Sequence, residues 1–351
     1  MSAHKVLGIK VAPVTARRWS NFLANRRGLW SLIIFVILFA VSLPAEFIAN
    51  DRPIVVSYQD ETYWPVFHNY GEEVFGGVPG LTADFTGPFL KERIAQAGGW
   101  MVWPPIPFAY DSVVTNLPGP APTAPDGVNW LGTDDQARDV LARVIYGFRI
   151  SVLFGLLLTI SSTIIGVLAG AVQGYFGGWL DLGFQRFLEI WGSLPTLYIL
   201  IILAAIIIPG FWSLLILMLL FTWTWPISVV RAEFLRARNL EYVRAAKALG
   251  LNDWHIITRH ILPNAMVATL TFLPFTLSGS VTALTSLDFL GFGLPPGSPS
   301  LGELLAQGKE NLQAPWLGLT GFFVIGIMLI LLIFAGEAIR DAFDPRKGSA
   351  Q

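Results

Sequence analysis

Six apolar stretches recur along this sequence, and most of them are about as long as a helix must be to cross a lipid bilayer. They cover residues 29–49, 150–172, 194–208, 214–230, 265–287 and 317–335. A helix of about 20 apolar residues spans the hydrocarbon core of a bilayer. Because hydrophobic residues make up 54% of the chain and charged residues only 13%, a water-soluble globular protein is excluded. The sequence predicts an all-α integral membrane protein with six transmembrane helices.

The first apolar stretch follows a basic start. Residues 1–28 contain six lysines and arginines and no acidic residue. A cleavable signal peptide begins in a similar way, but this basic segment is long and the apolar run after it exceeds a usual signal core. An uncleaved first transmembrane helix over 29–49 is the favoured interpretation, with the signal peptide as the alternative.

Charge orients the predicted spans. Residues 231–264 carry six basic residues against three acidic ones, and residues 1–28 are wholly basic. Loops rich in Lys and Arg stay in the cytoplasm, so we expect both segments there. An even number of spans then places residues 336–351 in the cytoplasm as well.

The opposite side of the membrane receives residues 50–146, which hold twelve acidic and five basic residues. Their prolines, glycines and aromatics predict a few short strands and much irregular structure. Within them, residues 129–147 predict an amphipathic helix near the membrane surface. The loop 288–316 is expected on the same side, folded over the outer mouth of a pathway, and an ordinary connector is the alternative.

The sequence lacks the residues that several kinds of catalytic and binding site require. The chain has no cysteine, four scattered histidines, no phosphate-binding glycine loop and no hydrolase motif, so we expect no catalytic, cofactor or metal site. The spans contain essentially no ionisable residue in their bodies. That absence argues against an ion-coupled secondary transporter, which remains the alternative function.

A charged island at residues 241–264 separates the fourth and fifth spans. Helical spacing places four residues on one apolar stripe: Tyr242, Ala245, Ala246 and Leu249. Gly250 suits the left-handed end of that helix, and Asn252 or Asp253 can cap a second helix that starts near Trp254. Pro263 suits the first turn of the fifth span. The island is predicted to be a docking element.

The island resembles the signature of the permease subunits of ABC importers, which is Glu-Ala-Ala, three residues, Gly, nine residues and Ile-x-Leu-Pro. The matching residues are Ala245, Ala246, Gly250, Leu262 and Pro263. Arg244 stands where the family has Glu, and His260 where it has Ile.

Three further stretches, 129–151, 286–316 and 336–346, are similar to the dipeptide and oligopeptide branch of that family. Ala137 replaces the glycine that is usual in the first of them. With Arg244 and the large outer segment, they look closest to the second, C-type permease of the Yej-type importers, which take up peptides and the peptide-nucleotide microcin C.

The resemblance implies a type I importer permease fold in the bacterial inner membrane, with a permease core over 147–335 and a periplasmic insertion over 50–146. This chain would be non-catalytic. Its implied partners are a second homologous permease, two cytoplasmic ATPase subunits that bind ATP and Mg²⁺, a periplasmic peptide-binding protein, a peptide substrate and membrane lipid, with no nucleic acid.

The resemblance also implies two sets of site residues. The helix that couples the permease to the ATPase would use Tyr242, Ala245, Ala246, Leu249, Gly250, Leu262 and Pro263. A periplasmic gate or binding-protein contact would use Asp134, Arg138, Asp139, Phe289 and Gly291.

Overall fold

Helices dominate the structure, a computed structural model that describes residues 5–6, 9–10, 13–207 and 210–343. The helices are α1 (Pro13–Ala24), α2 (Arg26–Ser42), α3 (Ala45–Ile48), α4 (Pro88–Gln96), α5 (Val140–Phe176), α6 (Gly178–Gly192), α7 (Thr196–Ile206), α8 (Phe211–Thr222), α9 (Trp225–Ala237), α10 (Glu241–Ala248), α11 (Asp253–His255), α12 (Leu262–Phe289), α13 (Leu301–Glu310) and α14 (Pro315–Phe343). The strands are β1 (Lys5–Val6), β2 (Ile9–Lys10), β3 (Val55–Tyr58), β4 (Glu61–Tyr63) and β5 (Trp100–Val102). A 3₁₀ turn covers Glu72–Phe75, and a π-helical segment, Ile256–Ile261, joins α11 to α12.

Three helices of the described chain are long and apolar enough to cross a membrane unaided: α5, the continuous helix Asp253–Phe289, and α14. Three bent pairs pass the same test together, with angles of 89° between α1 and α2, 71° between α6 and α7, and 42° between α8 and α9. If each pair counts as one span, the total is up to six. The predicted membrane class and the six apolar regions are therefore consistent with the structure.

The predicted surface helix over 129–147 is wrong in its extent. Residues 129–139 are irregular, and the helix begins at Val140 and runs without a break to Phe176. The Asp139 carboxylate accepts a hydrogen bond of 2.7 Å from the Ala142 backbone N–H and so caps this helix. A helix of 37 residues is about 55 Å long, so α5 projects well beyond the hydrocarbon core of about 30 Å.

The other predicted boundaries shift as well. The helix of the first span ends at Ser42 rather than 49, the sixth continues to Phe343 rather than 335, and the sequence patterns did not predict α1 or α6. A bend before Trp225 and Pro226 divides the fourth span into α8 and α9. Residues 344–351 of the predicted tail, and Pro209 of the turn before α8, lie outside the described residues.

The outer segment contains the predicted short strands. They form one antiparallel sheet in the order β4-β3-β5, in which Val56 pairs with Tyr63 on one side and Met101 on the other. Val56, Phe75 and Leu90 are almost completely buried beneath it. This small apolar core accounts for an ordered outer domain despite its many turns.

Helix α5 packs closely on α9 through glycines spaced four residues apart. A side-chain carbon at Gly174 would lie 2.5 Å from the Phe234 Cβ, and one at Gly170 would lie 2.9 Å from the Ile227 carbonyl oxygen. The same measure at Gly166 is 2.7 Å to the Trp223 carbonyl oxygen. Small residues of the second span therefore permit this close helix packing.

Candidate functional site

The island at 241–264 folds as two helices around a sharp turn. Helix α10 ends in a Schellman motif, in which the Gly250 N–H donates to the Lys247 carbonyl (3.0 Å) and the Leu251 N–H to the Ala246 carbonyl (3.2 Å). Gly250 has a φ of +80°, which confirms that the position needs a left-handed residue. The Asn252 side chain accepts a hydrogen bond of 2.8 Å from the His255 N–H, so the predicted cap is confirmed as well.

The second helix of the island continues directly into the fifth span. Over Ile256–Ile261 its backbone hydrogen bonds follow the π-helical pattern, in which the Leu262 N–H bonds to the Ile257 carbonyl. The α-helical pattern resumes at Leu262. Pro263 stands in the first turn after this change, where one N–H fewer is tolerated. The docking element and the span are therefore one continuous helix, Asp253–Phe289.

Helix α10 has an inner and an outer face. Val243 and Ala246 are buried, with 3% and 5% of their surface exposed, and they pack with Phe234, Ile256 and Ile261. Tyr242 and Ala245 are exposed on the other face, and Leu249 is 82% exposed. The predicted four-residue stripe is wrong at Ala246, because that residue shares the inner face with Val243. Leu262 is half-buried behind this face, and Pro263 is exposed.

Polar contacts tie the island to the spans around it. The Tyr175 hydroxyl at the end of α5 donates to the Asp253 carboxylate (2.5 Å). Arg238 donates to the carbonyls of Gly174 and Tyr175 (3.4 and 3.3 Å) in the last turn of α5, where a cation is favoured. With the apolar inner face, these bonds join α10 and α11 to α5, α9 and α12 in one packed unit.

The exposed side of α10 carries charges of both signs around its apolar residues, namely Glu241, Arg244 and Lys247. Neither Arg244 nor Lys247 forms an ion pair among the residues that the structure describes. Arg244, where the importer signature has Glu, is thus exposed and has no ion-pair partner in the part of the chain that the structure describes. An exposed apolar centre with charged neighbours suits a partner surface of complementary charge.

A second cluster of charges lies at the outer end of α5. The Arg138 guanidinium donates to Asp134 (2.7 Å) and to Glu303 (3.1 Å), and the Arg143 guanidinium lies 2.9 Å from Glu303 and 3.4 Å from Asp134. Arg143 also donates to the carbonyls of Tyr110 and Ser298. The cluster therefore connects the outer domain, the start of α5 and the loop that carries α13.

Burial and charge shift the acid–base properties around this cluster. Burial disfavours the charged guanidinium of Arg138, but the hydrogen bonds and charges of Asp134 and Glu303 together outweigh it and raise the pKa of Arg138. Burial and the charge of Asp134 raise the pKa of Asp135, whose Oδ1 is buried and has no hydrogen-bond partner among the described residues. Burial also raises the pKa of Asp139, against the hydrogen bond from Asn129.

The structure assembles only part of the predicted periplasmic set. Asp134, Arg138 and Asp139 are each no more than 3% exposed, so in this conformation they are internal and cannot contact a binding protein. Asp139 caps α5, and Asp134 and Arg138 form the cluster. The sequence patterns missed Arg143 and Glu303, its other two members; the signal for them is that both charges lie in stretches, 129–151 and 286–316, that resemble the same branch of the family.

Phe289 and Gly291 lie at the end of α12, apart from those residues. Gly291 has a φ of +78° and is exposed, and it lines a cavity of about 510 Å³ between the loop after α12 and the helices α7 and α8. Asp288 and Glu303 also line this cavity, and Asp288 accepts a hydrogen bond of 2.6 Å from Ser300. The predicted loop over 288–316 thus encloses space at the outer side, with α13 as an ordered part of it.

Comparisons with known proteins agree with the fold. A family model described as "Binding-protein-dependent transport system inner membrane component" matches residues 162–349. The peptidoglycan transport system permease protein YejE of Agrobacterium fabrum is 62% identical, over 96% of this chain and 94% of its own.

The inner membrane ABC transporter permease protein YejE of Escherichia coli is 58% identical, over 96% of this chain and 99% of its own. The oligopeptide transport system permease protein OppC of Haemophilus influenzae is 33% identical, over 68% of this chain and 77% of its own. The similarity to the first two relatives includes the outer domain as well as the spans.

Proposed function

Because the chain belongs to the family of inner membrane components of binding-protein-dependent transport systems, we propose that it is a permease subunit of an ATP-driven peptide importer. It forms half of the translocation pathway, and a second homologous permease forms the other half. Two ATPase subunits bind ATP and Mg²⁺ on the cytoplasmic side, and a periplasmic binding protein delivers the substrate. Both termini lie in the cytoplasm, as the basic residues of 1–28 and 231–264 favour.

The substrate class follows from what the relatives share. One is named for transport of peptidoglycan and another for oligopeptides, and peptide chains are common to both. We propose short peptides, including those carried on peptidoglycan fragments and peptide–nucleotide conjugates of the microcin C type. Uptake of each class, compared between cells with and without this subunit, measures the range.

The two faces of α10 have different roles in the proposed mechanism. The outer face offers Tyr242, Ala245 and Leu249 to the ATPase, while Val243 and Ala246 fix the helix to α9 and to the fifth span. Closure of the ATPase dimer on ATP moves α10, and the packed unit moves with it. ATP binding thereby favours one arrangement of the spans over the other. No chemical step occurs in this chain.

Replacing Leu249 by Arg tests this role. The side chain is 82% exposed, so membrane insertion and assembly of the fold should persist. Loss of a central apolar contact and introduction of a charge should lower ATP-dependent peptide uptake in proteoliposomes by about tenfold or more. Ala246→Glu is a poor test, because it disturbs the packing of this chain itself.

The matched control is Leu81→Arg, which places the same charge on an exposed leucine of the outer domain. Uptake should be normal in this control. Normal uptake with Leu249→Arg would show that the outer face of α10 does not bind the ATPase. Uptake that continues with an ATPase unable to hydrolyse ATP would contradict the importer itself.

A further inference from the structure

The chain turns sharply before its first span. Helix α1 meets α2 at an angle of 89°, and the side chain of Asn25, between them, accepts a hydrogen bond from the Gly28 N–H. We take the apolar helix α2 as the membrane-crossing part of this bent pair, so a helix perpendicular to it lies along the membrane surface. Phe22 of α1 is buried against Ala338 and Ala342 of α14, which holds α1 in this position.

A groove of about 340 Å³ opens between α1, α2 and α14. Its lining comprises Thr15, Arg18, Trp19, Phe22, Leu32, Ile339, Ala342 and Phe343. All of these side chains except Thr15 and Arg18 are hydrophobic. An apolar groove at the level where α1 lies faces the upper part of the lipid acyl chains.

One cation lines the groove, and two more begin the helix beside it. The Arg18 guanidinium lies over the Phe343 ring, 4.7 Å from its centroid, and Arg26 and Arg27 are exposed at the start of α2. The charges that α14 brings to this end are Glu337, Arg340 and Asp341, and α1 adds Arg17. Cations outnumber carboxylates here, so the local field favours an anion.

Two tryptophans mark the same level. Trp19 on α1 is 41% exposed, and Trp30 on α2 is 60% exposed. Exposed tryptophans concentrate where headgroups meet acyl chains. The groove, the cations and these rings therefore share one depth in the membrane.

We propose that this groove binds an anionic phospholipid of the cytoplasmic leaflet, with an acyl chain along its apolar lining and the phosphate against Arg18, Arg26 and Arg27. The apolar lining fits a hydrocarbon chain, and the cations fit the negative headgroup. This role is separate from substrate transport and from docking of the ATPase.

The proposal is tested by native mass spectrometry of the full-length chain. The chain is extracted from bilayers of equal parts phosphatidylglycerol and phosphatidylcholine. The wild type should retain phosphatidylglycerol preferentially. Arg18→Gln removes one cation and should lower that retention about fivefold. Ile339→Trp fills the groove without a charge change and should lower it as well. Soluble glycerol 1-phosphate, which has the anion but no acyl chain, should not displace the lipid.

Arg186→Gln is the matched control, since Arg186 lies on α6 and its side chain is 76% exposed. Retention should be unchanged in this variant. Equal retention of both lipids by the wild type would overturn the proposal, as would unchanged retention in both groove variants. An effect of Arg18→Gln alone, or displacement by glycerol 1-phosphate, would reduce the site to an anion contact and also overturn it. Helix content by circular dichroism confirms that each variant is folded.

Discussion

Ala137 adopts a backbone conformation that favours glycine. Its φ is +60°, and its carbonyl accepts a hydrogen bond of 2.7 Å from the Val114 N–H, while its own N–H donates to Asp134. A side chain in the left-handed region costs about 1 kcal/mol or more. Position 137 thus favours glycine because of its backbone geometry rather than because of a contact.

We therefore expect Ala137→Gly to stabilise the outer end of α5 by about 1 kcal/mol. Thermal unfolding of the purified chain in detergent measures the change. The control Ala95→Gly, at an exposed position of helix α4, should instead destabilise by up to about 1 kcal/mol, because glycine is a poor helix former. Equal effects of the two substitutions would contradict the assigned strain.

Asp135 makes stability depend on pH. Its raised pKa means that folding favours the protonated carboxyl, so the charged form destabilises the native state above that pKa. The penalty disappears as the pH falls below the ordinary aspartate value of about 3.9. Asp135→Asn should accordingly stabilise the protein at pH 7, and the gain should shrink toward zero as the pH approaches 4.

Unfolding midpoints of variant and wild type, compared from pH 7 to pH 4, provide the measurement. Asp111→Asn removes an exposed carboxylate of the same domain and is the control. A gain that stays constant across the pH range would mean that the Asp135 charge is not the cause.

At the scale of elements, the contact between α5 and α9 depends on the absence of side chains. Gly174→Ala would place a carbon 2.5 Å from the Phe234 Cβ and 2.7 Å from the Arg231 carbonyl oxygen. One of these atoms belongs to the backbone, so relief requires the helices to separate. The substitution should destabilise the chain by about 1 to 3 kcal/mol, as measured by unfolding in detergent.

Gly183 supplies the matched comparison. It lies inside α6, and nothing stands within 4 Å of an added side-chain carbon. Gly183→Ala should therefore be neutral or stabilise by up to about 1 kcal/mol, the helix preference of alanine over glycine. Destabilisation by both variants would indicate a general intolerance of alanine rather than a close helix contact.

The elements also show what the sequence can predict. Runs of apolar residues locate the spans because a bilayer demands length and hydrophobicity together, and Gly250 and Asn252 are local signals that need no tertiary information. The inner face of α10 is different. Val243 and Ala246 are spaced by three residues, as are Tyr242 and Ala245, so periodicity alone permits either face to be buried.

Local sequence patterns could not predict the charge cluster at the outer end of α5, for another reason. Arg138 and Glu303 are 165 residues apart in the chain, and nothing near Glu303 indicates that it meets two arginines. Helix α1 was missed because its segment is basic and only moderately apolar, and its helix is supported by contacts with α14. Long-range packing determines these features, whereas spans and caps follow from neighbours in sequence.

At the scale of the whole molecule, α5 links the two ends of the permease. Its first turns join the outer cluster through Arg143, and its last residues bind the island through Tyr175. If the island and α5 move together during transport, a covalent link between them should be harmless. The absence of cysteine makes this testable without a background of other thiols.

Tyr175→Cys with Asp253→Cys, bridged by a short bis-maleimide, should retain ATP-dependent peptide uptake. The reason is that the two residues already touch, at 2.5 Å between the hydroxyl and the carboxylate. Each single-cysteine variant, treated with the same reagent, controls for loss of the native hydrogen bond. Loss of uptake only in the bridged protein would show that the island moves relative to α5.

The π-helical segment Ile256–Ile261 contains one residue more than an α-helix would use for the same turn. Each residue turns an α-helix by about 100° and advances it by about 1.5 Å. Deleting one residue from this segment would let the backbone close as an ordinary α ladder without breaking the helix. Because a π ladder turns less per residue than an α-helix, it already absorbs the extra residue, and the island would keep its orientation about the axis of the fifth span. Deleting one residue from the regular α-helix of that span would instead rotate the island by about 100°, so that Leu249 faced a different direction.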